Sequence, residues 1–317
     1  MKQIVHPSNQ KFVIVVLAVA ASFFGFEAAG RAIDAYQLRN FFEISLYVYL
    51  FLLFMQIFVF DLHLRPARSI AGLERSFFAA LRNRFHYMGE RNHFLHFQNY
   101  LILPGVIYWA TIAILFLNPF AETIKQTWIT LSSLALGLSF WYLKTVFYAH
   151  HDAARTVRQA IFMAKLYASY LAFAAAFGIT RYFAPVSPES IALSPVAHAD
   201  KFALGSPWLF VFIFSISFLL FYQALFQHHA VDFNMLKFLF FTSIGLGVLG
   251  YFLFYYWNAN YFSGALVLTA VYNTIWGIVH HKYIDKNLTR DLVYEYLAVL
   301  FVILVILIGS TNFGERI

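Results

Sequence analysis

The stretch Phe221-Tyr-Gln-Ala-Leu-Phe-Gln-His228-His229-Ala-Val-Asp232-Phe-Asn-Met-Leu-Lys237 closes one apolar run and opens the next, with a histidine doublet and an acid between them. The same order recurs at His150-His151-Asp152 and at His280-His281-Lys-Tyr-Ile-Asp285, and a sparser form stands at Asp61-Leu-His63-Leu-Arg65. Polar turns of this kind, set between long apolar runs, predict helical hairpins that bring histidine to one side of a bundle.

Composition points to lipid as the solvent. The 317 residues are 61% hydrophobic, 21% aromatic and 12% charged, against about 25% charged in an ordinary soluble domain. Apolar runs of about 18 residues or more, each long enough to cross a hydrocarbon core as a helix, recur along the whole chain. They are continuously apolar rather than alternating, so a β-barrel is excluded and helices remain. The reading is an all-α, polytopic transmembrane bundle forming a single integral membrane domain over residues 1–317. There is no cysteine, which excludes disulfides, thiolate metal sites, iron–sulfur clusters and cysteine nucleophiles. The basic residues are scattered through short loops and give no nucleic-acid footprint.

Nine helices are predicted, near 12–30, 41–60, 100–117, 128–149, 160–183, 207–227, 233–257, 261–279 and 292–309. The first is read as a retained helix, not a cleaved signal peptide. Glu27, Arg31 and Asp34 at its end face the bundle or the interface. Residues 64–98 form an arginine-rich cytoplasmic segment in which Phe77, Phe78, Leu81 and Phe85 share a face, as in a helix lying among headgroups. Residues 184–206, with their prolines and serines, form an outer loop. With the N-terminus inside, the inner segments carry 14 lysines and arginines and the outer ones 6, so the positive-inside rule places the N-terminus and the histidine hairpins in the cytoplasm.

The candidate metal ligands are His63, His150, His151, His228, His229, His280 and His281, because neutral imidazole is the commonest metal ligand. Adjacent residues on an α-helix point about 100° apart, so one histidine from each of several hairpins is expected to serve a shared ion. Asp152, Asp232 and Asp285 would stand behind the ligands, a carboxylate accepting the outer ring N–H and fixing tautomer and orientation. His228 and Asp232, like His281 and Asp285, are four apart, which on a continuing helix is one face. Their competing reading is interfacial, since histidine suits a helix C-terminus and the lipid–water boundary. His93 and His96, three apart ahead of the third helix, are a further pair more readily read as an interfacial cap. Lys144, beside Tyr142 and Tyr148, either meets an anionic substrate or snorkels to the surface. Phosphate-binding glycine loops, G-x-S-x-G and H-E-x-x-H are absent.

The phrases His228-His229-Ala-Val-Asp232-Phe233 and Val279-His280-His281-Lys-Tyr-Ile-Asp285 resemble motifs of the Brp/Blh family. Those bacterial and archaeal membrane proteins include β-carotene 15,15′-dioxygenases. Where the family has Pro-His beginnings, this chain has doublets. The resemblance implies iron (Fe2+) held by His63 and one histidine from each of the pairs 150/151, 228/229 and 280/281, in a prokaryotic cytoplasmic membrane. It implies a non-haem oxygenase acting on a hydrophobic, lipidic polyene such as a carotenoid. The alternatives are a non-enzymatic membrane subunit, haem-binding or purely structural, and a small-molecule transporter; protein partners stay open.

Overall fold

The computed structural model describes residues 9–64, 91–146, 155–183, 206–227, 232–256 and 261–310. The described residues are 93% helical with no strand. Nine α-helices follow in order: α1 (Asn9–Asp34), α2 (Leu38–Leu64), α3 (Arg91–Leu117), α4 (Glu122–Val146), α5 (Arg155–Tyr182), α6 (Ser206–Gln227), α7 (Phe233–Tyr256), α8 (Tyr261–Val279) and α9 (Arg290–Ser310). A five-residue π-turn, His280–Ile284, extends α8. The segments 65–90, 147–154 and 184–205 lie outside the described residues, and with them nearly all of the expected amphipathic segment and outer loop.

Among the described residues, seven helices are long and apolar enough to cross a membrane: α1, α2 and α5 to α9. In α3 the described apolar stretch is Leu101–Leu117. In α4, Glu122, Lys125 and Gln126 are followed by Thr127, Thr130, Ser132 and Ser133, which dilute the apolar run. Three boundaries also move. α2 is described to Leu64, so His63 lies on this helix. α3 begins at Arg91, so His93 and His96 belong to its first turns. α4 begins at Glu122, so Lys125 belongs to a helix and not to a loop.

The chain divides into two compact units, Met1–Ala168 and Ser169–Ile317, with the boundary inside α5. In the first, α1 packs on α2 and α4, and α3 packs on α4. Close approach uses small residues, as membrane helix pairs do: Gly25 faces Val48 and Gly137 faces Val19. Phe26, Phe41 and Tyr108 are fully buried there. Tyr108 stacks between Phe26 and Tyr49, each ring 5.2 Å away, and donates its hydroxyl to the Ser45 carbonyl at 2.6 Å.

In the second unit α6 packs along α7, α7 on α8, and α8 on α9. Phe210, Phe214 and Phe218 stack up one side of α6 at 6.2 and 6.1 Å, and Gly247 and Gly250 of α7 make room for Phe210 and Ile213. Phe221 meets Tyr272 of α8 at 4.4 Å and Trp276 at 6.5 Å. These contacts put the C-terminal ends of α6 and α8 at the same end of the unit. The π-turn sits at that end.

Candidate metal centre

α8 runs regularly to Val279 and then widens. The Asp285 N–H bonds back to the His280 carbonyl at 3.1 Å and the Asn287 N–H to the His281 carbonyl at 3.0 Å. The first of these is the i→i+5 bond of a π-turn, a rare insertion that is frequent at functional sites. Lys286 takes a left-handed φ of 52°, which reverses the chain towards α9. Thr289 then accepts from the Leu292 N–H at 3.3 Å and starts α9.

The consequence for the side chains is specific. His280 Nδ1 and His281 Nδ1 both stand 3.1 Å from the same oxygen, Oδ2 of Asp285. A regular α-helix aligns residues three or four apart, here His281 and Asp285; the wider turn brings His280, five residues away, over the carboxylate as well. Both members of the doublet therefore face one carboxylate oxygen, where regular helical geometry predicts that they diverge. Asn287 Oδ1 lies 3.0 Å from His281 Nδ1. The imidazole planes cross at 81°, Trp276 stands edge-on to His280 at 5.8 Å, and Tyr296 of α9 lies 6.0 Å from His281. His280 and His281 are partly buried and Asp285 is at the margin of exposure.

This group can act in two ways. As a hydrogen-bonded set, both Nδ1–H groups donate to one carboxylate oxygen, which fixes the tautomer and orientation of each ring. As a chelate, each residue offers one ligand atom, all within 4.8 Å of one another. Neighbouring ligands at right angles, each about 2.1 Å from an ion, stand about 3.0 Å apart, so the observed 3.1 Å fits. Two imidazoles and one carboxylate are also the donor set that non-haem Fe(II) oxygenases use, with positions left open.

The other expected ligands are placed only in part. His63, His93 and His96 lie on α2 and α3, but their side chains lie outside the described residues, as does that of Lys144 on α4. His150, His151, Asp152, His228 and His229 lie outside the described residues altogether. Asp232 is exposed just ahead of α7, and its Oδ1 accepts the Phe233 N–H at 2.7 Å, a capping role. Asn287 and Tyr296 went unnoticed in the sequence, where nothing marks a π-turn.

A second polar group, in the first unit, was foreseen only in outline. Glu27 and Asp34 on α1 engage α4, while Arg31 pairs with Glu27 on α1 itself at 2.9 Å. Lys125 is ion-paired with Asp34 and, at 3.2 Å, with Glu122. Gln126 Nε2 donates to Glu27 at 2.6 Å and to Glu122 at 2.9 Å, and Asn118 Nδ2 donates to Asp34 at 3.0 Å. Burial alone would lower the Lys125 pKa, but hydrogen bonds to Asp34 and Glu122 outweigh it and hold the ammonium above its ordinary value. Gln126 and then Lys125 draw the Glu122 carboxyl below its ordinary value.

Comparison with known protein families, with characterised proteins and with solved structures finds no match for this chain. Fold and site define a class directly: among the described residues the protein is helical throughout, with seven membrane-length helices and a His-His-Asp group at the end of α8.

Proposed function

We propose that this protein is an integral membrane metalloprotein that holds one divalent ion on His280, His281 and Asp285, and that it oxygenates a lipidic polyene such as a carotenoid. One observation carries the metal reading: both imidazole Nδ1 atoms converge on a single carboxylate oxygen at 3.1 Å. The oxygenase reading is supported by the donor set and by the resemblance of Val279–Asp285 to the Brp/Blh motif. In this reading Asp285 is a ligand rather than the support behind one.

Iron bound there would supply the capacity to engage dioxygen and pass electrons to it. The chain's own residues do the rest. Asn287 Oδ1, 3.0 Å from the same His281 Nδ1, would stand beside the ion as a further, weaker oxygen donor, while Trp276 and Tyr296 wall the two imidazoles. The apolar seams of α6 to α8 are a solvent in which a polyene partitions. The charge bias of 14 against 6 places the N-terminus, and with it the α8–α9 hairpin, in the cytoplasm. Since α3 and α4 are consecutive, that side is the same whether or not the pair spans.

The test is metal content and absorption of detergent-purified protein, followed by Fe2+ titration and incubation with β-carotene under oxygen. About one iron per chain, no Soret band, and oxygen-dependent bleaching of the polyene would support it. Failure to bind Fe2+ in folded protein sinks the metal reading. Binding without polyene turnover sinks the oxygenase and leaves the metalloprotein.

A further inference from the structure

Several buried hydroxyls among the described residues bond back to their own helix. Ser45 donates to the Phe41 carbonyl at 2.7 Å, Thr111 to Ile107 at 2.7 Å, Ser139 to Leu136 at 2.7 Å and Thr180 to Ala176 at 2.8 Å. Three hydroxyls of the second unit do not. Ser217, Ser243 and Thr269 are 0%, 0% and 3% exposed, and their side-chain oxygens have no hydrogen-bond partner.

These three stand at one depth, near the middle of three successive helices. On α6, Phe210, Phe214, Ser217 and Phe221 follow at intervals of four, three and four, so they line one face. On α7, Phe240, Ser243, Gly247 and Gly250 do the same. The faces meet, since Phe210 lies against Gly247 and Phe214 against Phe240. In that register Ser217 is opposite Ser243. Phe221, one turn beyond Ser217, packs on Tyr272 of α8; Thr269, one turn before Tyr272, therefore comes level with Ser217. Gly250, two turns along α7 from Ser243, lies against both Ile213 and Leu268 and closes the three helices together to one side of the hydroxyls.

Hydroxyls left unbonded in a hydrocarbon setting are costly, and back-bonding, the usual relief, was available. We infer that Ser217, Ser243 and Thr269 line a hydrogen-bonding pocket at the middle of the membrane that takes a hydroxyl group, supplied either by buried water or by the hydroxyl of a lipidic ligand. Both sources share the chemistry of one donor with acceptor lone pairs. The inference is independent of the metal site.

The absence of cysteine from the chain makes a clean test. Ser217→Cys, Ser243→Cys and Thr269→Cys would be made singly in the full chain, with Ala174→Cys, a fully buried apolar position, as control. Each is treated in membranes with a small, permeant thiosulfonate, which reacts with thiolate and so needs water at the thiol. Labelling at all three sites far faster than at the control means water fills the pocket. Labelling only after delipidation means a lipid hydroxyl did. Thr269→Val and Ser243→Ala should each lower the melting temperature, and together by less than the sum, because both hydroxyls bind one occupant. Thiols as inert as the control before and after delipidation, or hydroxyl deletions that leave the melting temperature unchanged or raised, would overturn the inference.

Discussion

Gly277 on α8 lies beneath the Tyr296 ring of α9 so closely that a Cβ added to it would stand 2.5 Å from the ring carbons and 2.8 Å from the hydroxyl. Hydrogen is the only side chain that lets the two helices close at this point, one turn before His281. The glycine is needed for approach, not for backbone freedom. Gly277→Ala is expected to destabilise by about 1–3 kcal/mol through overpacking and to weaken metal binding by displacing the wall beside His281. Thermal unfolding and metal titration of the variant check both; wild-type values in each would refute the role.

His280→Ala and His281→Ala should each weaken Co2+ or Fe2+ binding by at least about 10–100-fold, read by competition with a chromogenic chelator. Asp285→Asn should lose a similar amount, since an amide is a poorer ligand than a carboxylate. Asn287→Ala should lose less, because a neutral amide oxygen is a weaker donor than an imidazole or a carboxylate. Binding should weaken as pH falls, because protons compete for both imidazoles and the carboxylate. Affinity unchanged in all four variants would end the metal reading.

Lys125→Met should destabilise the first unit by about 1–3 kcal/mol, the usual loss for buried charge-assisted hydrogen bonds. The pH dependence has two signs. Lys125 is held above its ordinary 10.5, so its contribution is whole below that value and disappears as pH rises through the folded value. Glu122 is held below its ordinary 4.5, so its contribution is present above that value and is lost as pH falls. Denaturation midpoints at pH 7 and pH 11 check the first sign. Lys125→Met should lose less stability than wild type over that interval.

Tyr108→Phe removes the hydroxyl that bonds to the Ser45 carbonyl inside a buried aromatic stack. The expected loss is about 0.5–1.5 kcal/mol, with the helix content of the protein unchanged by circular dichroism. A larger loss, accompanied by a drop in helix content, would mean the ring stack itself depends on that bond.

Much of the architecture was legible in the chain. The nine helices and the all-helical class follow from local hydropathy, because a segment in lipid must satisfy its own backbone hydrogen bonds whatever its neighbours are. His280, His281 and Asp285 were visible as ligand-type residues for the same local reason. Less was legible where turns and pairings decide. Lys125 read as loop charge, and only the packing of α4 on α1 shows it buried against Asp34, 91 residues away. The doublet read as two diverging side chains, because regular helical geometry is the natural assumption. A single i→i+5 hydrogen bond undoes that assumption, and no residue at Val279–Asp285 announces it. Sequence by itself determined which segments are helical and which residues have the chemistry of a ligand. Tertiary structure alone decided that two adjacent imidazoles share one carboxylate, because that depends on where the chain turns towards α9 and on the glycine that lets α9 close.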